Sequence, residues 1–227
     1  MSDIFIHVGI QKTGSTFLQR EVFRKIKNIH LYGMGNKLIK FNSDLPKDGK
    51  PILISCETYA GNPFSPYVSK ERYDIAKELH RYFPNARIIV VFREKNAWVK
   101  SLYSEYIKMG GAKKYDFWYN NLFKKEYLDF EGYEKLLREL FKDVLVLNHK
   151  DLRQKPDYFI KKICDYMNVN ITKYNKNAKW GKKFSEGQLN FFRFINKFFK
   201  FNMNREDGFL PAFLSPLYIY RRYLDKY

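Results

Sequence analysis

Four short, almost wholly apolar runs punctuate the chain, at residues 4–8, 52–55, 88–92 and 144–147. Each is rich in β-branched or aromatic residues and ends at a glycine or a polar cluster, the pattern of strands buried on both faces. The stretches between them are long enough for helical crossovers, so the spacing predicts a parallel sheet with helices on both sides, a three-layer α/β sandwich. After the first run, Phe17, Leu18, Val22, Phe23 and Ile26 recur at helical spacing, with Ser15 and Thr16 available as caps. A second helix is predicted in "KNAWVKSLYSEYIKMG", and residues 113–130 read as a helical lid or acceptor wall. In "SEGQLNFFRFINKFFKF", Ser185 caps an amphipathic helix whose Leu189, Phe192, Ile195, Phe198 and Phe199 are expected to pack on the sheet.

The strand ends carry the chemistry. In "IHVGIQKTGSTFL" a strand, a glycine-bearing loop and a helix N-terminus are contiguous, which aims backbone N–H groups at one point. Lys12, Thr13, Ser15 and Thr16 add donors there, as expected of a phosphate or sulfate site; an ordinary turn with a solvated Lys12 is the alternative. The nucleotide-hydrolase loop, G-x-x-x-x-G-K-[ST], needs its lysine directly after the second glycine. Here Lys12 precedes Gly14 by two positions. The apolar run at 88–92 ends in Arg93, where a magnesium-dependent phosphotransferase would place an aspartate. Arginine offers a permanently charged fork for phosphate and cannot ligate a metal. An ion pair with Glu94 or Glu57 is the other reading of Arg93. Ser101 stands eight residues further on.

Together these segments resemble the sulfotransferases that use 3′-phosphoadenosine 5′-phosphosulfate (PAPS). "IHVGIQKTGSTFL" is similar to their 5′-phosphosulfate loop, and "VVFREKNAWVKSLYSEY" to their 3′-phosphate segment. "VLVLNHKDLRQKPDYFIKKICDYMNV" resembles the strand, turn and helix that follow. The resemblance implies a P-loop-like sulfotransferase fold and assigns Gln11, Lys12, Thr13, Gly14, Ser15 and Thr16 to the phosphosulfate. It assigns Arg93 and Ser101 to the 3′-phosphate. In the family a basic loop closes over the nucleotide near "NKNAKWGKKFSEG", so Lys179, Lys182 and Lys183 are implied contacts to phosphate or acceptor, unless that loop is merely solvated.

Transfer to a hydroxyl also needs a base. Glu57 follows the run at 52–55 and emerges at the same sheet edge as Lys12 and Arg93, where ligands collect in open α/β sheets. Relatives acting on sugars carry a glutamate there, which points to a carbohydrate or glycan acceptor. Glu57 could instead cap the next turn. Relatives acting on small phenols and steroids use histidine, which makes His149, after the run at 144–147, the second candidate. His7 lies within a strand and reads as core; His30 and His80 sit in polar, helix-adjacent contexts.

Composition adds one further point. A chain of 227 residues with 45% hydrophobic and 19% aromatic content is that of one folded domain, not a disordered chain. Cys56 and Cys164 lack metal-ligand spacing and are expected as reduced thiols, and no metal is expected. No run approaches the roughly 20 apolar residues of a membrane span, and the N-terminus has no leader pattern, so a cytoplasmic protein is expected. The net charge of +18 exceeds what the donor requires. Residues 176–227 hold 11 Lys or Arg, 4 Asp or Glu and 14 aromatics, a composition suited to a lipid-linked sugar, an acidic glycan or peripheral contact with an anionic membrane. A basic nucleic-acid module would carry a reading motif, and none is found. A kinase with an unusual loop would need magnesium and a strand-end aspartate.

Overall fold

The computed structural model describes residues 2–33, 45–64, 72–178, 184–200, 208 and 210–218. The backbone gathers into two compact units, residues 1–94 with 125–178 and residues 95–124 with 179–227. The first holds a five-stranded sheet, and every strand pair in it is parallel. In chain order the strands are β1 (Ile4–Val8), β2 (His30–Tyr32), β3 (Ile52–Cys56), β4 (Arg87–Phe92) and β5 (Asp143–Asn148), and the spatial order is β2-β3-β1-β4-β5. The four predicted strands are present, each within two residues of its expected bounds. The edge strand β2 was not expected; it is three half-buried residues, too short and too polar to declare a period.

Alternate strand residues face opposite layers. On one side Phe5, Leu53, Ile89, Val91 and Leu147 pack against Leu18, Val22 and Phe23 and against Phe159, Ile160, Ile163 and Met167 of α7 (Pro156–Met167). Ile6, Val8, Ile52, Ile54, Ile88 and Val90 are equally buried and point the other way, the side left for α2 (Arg72–Tyr82) and α5 (Phe130–Leu140), which pack together. Continuous burial on both faces explains why these strands read as unbroken apolar runs. His7 is wholly buried, as its strand position implies. Its Nδ1 lies 2.8 Å from Ser55 Oγ, which also accepts from Gln19 Nε2 at 3.0 Å. Cys56 and Cys164 are free and buried.

Three expectations are corrected. The segment after β1 is not one α-helix capped by Ser15 or Thr16. Gly14 takes the N-cap position with no side-chain bond, and α1 (Ser15–Phe17) passes into a π segment (Leu18–Val22) and a 3₁₀ turn (Phe23–Lys25). The wider π turn points Leu18, Val22 and Phe23 into the core together. His30 is no helix neighbour but lies in β2, its Nε2 3.0 Å from Asp48. Finally, the expected lid divides. α4 (Tyr115–Asn121) belongs to the second unit, whereas Tyr127 and Phe130 are core of the first, with the buried Arg72 guanidinium 4.4 Å above the Tyr127 ring.

In the second unit, α3 (Lys95–Lys108) buries Trp98, Leu102 and Tyr106. An aromatic cluster of Tyr103, Tyr106, Tyr115, Trp118 and Phe123 joins it to α4. The helix predicted after Ser185 is α8 (Glu186–Asn196), with the capping box Ser185–Gln188. Within its unit it packs on α3: buried Asn196 donates through Nδ2 to the carbonyls of Ile107 (2.9 Å) and Gly111 (2.8 Å).

Candidate anion and transfer site

Because β1 is the central strand, the loop after it is flanked by the ends of β3 and β4. Gly9 leaves β1 pressed against β3: its N–H donates to Cys56 O at 3.1 Å, and a Cβ on it would stand 2.9 Å from Glu57 Cα. Only a residue without a side chain passes there. Lys12 (φ 64°) and Gly14 (φ 96°) are both left-handed, a backbone form that turns successive N–H groups toward one concave side. The hydroxyls of Thr13 and Ser15 are buried and donate to Ile10 O at 2.7 and 3.3 Å. They brace the loop, and what these two residues present to an anion in this arrangement is backbone N–H. Gln11 is tied through Nε2 to Asn62 Oδ1 at 3.3 Å.

Two carboxylate and cation groups border the loop on opposite sides. Glu57 opens the 3₁₀ turn Glu57–Ala60 after β3, and Thr16 Oγ1 donates to its Oε1 at 3.5 Å, the limit of a hydrogen bond. On the β4 side, Arg93 is half-buried and donates from Nη1 to Lys12 O at 3.0 Å. A charged donor on a carbonyl contributes about 1.5–3 kcal/mol, so Arg93 also fastens the loop to the sheet edge.

His149 begins α6 (His149–Gln154) after β5, with Asn148 capping through Lys150 N. It lies against the loop: a Cβ on Gly14 would be 3.7 Å from His149 Cδ2 and 2.6 Å from Leu152 Cδ2. Burial, then Arg93 and Arg153, push the His149 imidazole down to about 4. Arg93 is likewise depressed by burial and by Arg153, with Glu94 opposing. Arg153 thus disfavours the charged forms of both Arg93 and His149, the electrostatic form of a site that gains from an anion. Arg153 was missed in the sequence. Its signal is the His149–Arg153 spacing of four, one helix face directly after a strand.

Of the other predicted residues, Ser101 lies in α3, within the second unit, and Lys179, Lys182 and Lys183 lie outside the described residues. Among the described residues no His, Cys, Asp and Glu group could hold a metal ion, and no helix is long and apolar enough to cross a membrane.

A sequence model described as "Sulfotransferase domain" matches residues 71–181, which include Arg93, Ser101, His149 and Arg153. The fold is similar to that of a sulfotransferase from Alicyclobacillus acidocaldarius, at 12% identity and a TM-score of 0.54, over 79% of this chain and 86% of that one. It is also similar to mouse sulfotransferase SULT7A1 complexed with PAP, at 14% identity and a TM-score of 0.52, over 76% of this chain and 60% of that one. No curated protein matches the chain. At these identities the structural likeness is one of fold: a P-loop-like α/β sandwich around a parallel sheet.

Proposed function

We propose that this chain, which a sulfotransferase-domain model matches over residues 71–181, moves a sulfuryl group from PAPS to a hydroxyl of a carbohydrate, glycan or glycolipid. The single observation that carries the donor assignment is the pair of guanidiniums, Arg93 and Arg153, beside the neutral His149 imidazole at the edge of a left-handed phosphate loop. A 3′-phosphate placed among them would relieve their mutual repulsion, whereas AMP would leave it in place. The PAP complex of the mouse neighbour supports the same nucleotide class.

In this reading the phosphosulfate lies on the loop from Gln11 to Thr16. The acceptor oxygen attacks sulfur in line, the bond from sulfur to the bridging oxygen breaks, and adenosine 3′,5′-bisphosphate leaves. Lys12 stabilises the charge that grows on that bridging oxygen. Glu57 takes the acceptor proton as the new S–O bond forms. Glu57 stands beside Thr16 on the β3 side of the loop, and Arg93 on the β4 side. His149 is the second candidate for the base. Its depression to about 4 makes it a weak proton acceptor at neutral pH, and its neighbours Arg93 and Arg153 draw it toward the donor.

The test is release of bisphosphate from PAPS with a panel of sugar acceptors, without magnesium. Glu57→Gln should lower the rate by roughly 10²–10⁴-fold while bisphosphate affinity persists. His149→Ala should keep turnover and weaken bisphosphate binding. A dead histidine variant beside an active glutamine variant would transfer the base role to His149.

A further inference from the structure

α8 has two apolar faces. Phe192 and Asn196 are buried on the side that meets α3. At about 100° per residue, Phe191 and Phe194 fall on the far side, and they are 53% and 56% exposed. The Phe194 ring lies 5.3 Å from that of Phe198, so the far face is continuous toward the C-terminal end of the helix. From there the chain enters β6 (Phe199–Lys200), which pairs with β7 (Leu210–Pro211), and the 3₁₀ turn Ala212–Leu214 follows at once. That turn packs beside β6 and carries Phe213 at 61% and Leu214 at 54% exposure. Of five large apolar side chains more than half exposed among the described residues, four therefore belong to this one assembly, the fifth being Tyr158.

Single exposed apolar residues are ordinary, but a cluster marks a contact surface. The charge of the same stretch of sequence decides the occupant. Residues 179–227 hold 10 Lys or Arg against 4 Asp or Glu. Lys197 Nζ stands 6.0 Å from the centre of the exposed Phe194 ring, and Arg193 precedes that residue. The core of a protein–protein interface is depleted in lysine. Exposed phenylalanine and leucine interleaved with cations instead match a lipid headgroup region, where rings enter the acyl boundary and cations meet lipid phosphates.

We propose that the face formed by α8 and the turn Ala212–Leu214 docks on an anionic bilayer surface, with Phe191, Phe194, Phe213 and Leu214 entering the interface. This inference does not rest on the sulfuryl-transfer reading. The probe is the full chain sedimented with extruded phosphatidylcholine vesicles, with and without about 30% phosphatidylglycerol. The expected result is binding to the anionic vesicles that exceeds binding to neutral ones by at least tenfold and weakens from low to high salt as screening tightens. F191S/F194S should lower that binding by roughly tenfold or more with an unchanged far-UV spectrum and Tm, since both side chains are already solvated. F213S/L214S should act in the same direction, which guards against a folding defect in the first pair. Absence of binding to anionic vesicles, or binding that both pairs leave unchanged, overturns the proposal. So does a concentration-dependent dimer abolished by F191S/F194S without vesicle binding, which would make this face a contact between two copies.

Discussion

Gly9→Ala is the smallest change that separates the anion loop from Glu57. The added Cβ would meet Glu57 Cα at 2.9 Å and Cys56 O and Glu57 N at 3.2 Å. Carbon atoms rest at about 3.5–4.0 Å, so the ends of β1 and β3 must part by roughly 0.5–1 Å. All three neighbours are backbone, so no side chain can swing aside to absorb the overlap. Overpacking of this kind costs about 1–3 kcal/mol, a fall in Tm of roughly 3–10 °C for a chain of this size. The functional effect should be larger, because Lys12 and Glu57 hang from the two parts that separate, and a misplacement of about 1 Å can cost on the order of a hundredfold in rate. Bisphosphate release from PAPS should fall by roughly 10–100-fold, while bisphosphate affinity, set on the Arg93 side, changes by less than about threefold, read by calorimetry. Wild-type Tm and rate would refute the close approach. An affinity that collapses in step with the rate would refute the separation of donor binding from proton transfer.

Lys12→Ala should lower donor turnover by roughly a hundredfold or more through loss of one preorganised charge, with a smaller loss of bisphosphate binding; an unchanged rate would make Lys12 a surface residue. His7 gives a pH effect. Burial lowers it from 6.5 to about 4, so between those values the unfolded chain holds a proton that the folded chain excludes. Stability is thus unaffected by this group above pH 6.5 and declines as pH falls toward 4, by about 3 kcal/mol in all. Urea unfolding across that range should show the slope, and His7→Gln should flatten it whatever its effect at pH 7. Gly14→Ala meets Leu152 Cδ2 at 2.6 Å in a left-handed position, so bisphosphate affinity should drop by tenfold or more, measured by the same calorimetry.

The parallel strands were legible because burial on both faces leaves an unbroken apolar run, and Lys12, Glu57, Arg93 and His149 were legible because each directly follows such a run or lies in the loop that does. The turn chemistry after β1 was not. Serine and threonine beside Gly14 resemble helix caps in any local window, and only the carbonyl of Ile10, brought round by the left-handed Lys12, draws the Thr13 and Ser15 hydroxyls inward. The destination of α8 was equally hidden: its sequence has apolar residues on two sides, and periodicity cannot say which side meets a partner until Asn196 is seen bridging Ile107 and Gly111. Arg153 escaped notice because, in so basic a chain, a spacing of four from His149 on a short helix stands out only once the fold sets Arg153 beside Arg93 and His149.

The central claim is that the strand-end cations recognise a 3′-phosphate, and a calorimetric titration of the full chain in EDTA tests it most directly. Adenosine 3′,5′-bisphosphate should bind at least a hundredfold more tightly than AMP, with Arg93→Met and Arg153→Met each reducing the preference by tenfold or more. Equal affinity for the two nucleotides, or binding that appears only when magnesium is restored, would contradict the account and favour a metal-dependent phosphotransferase.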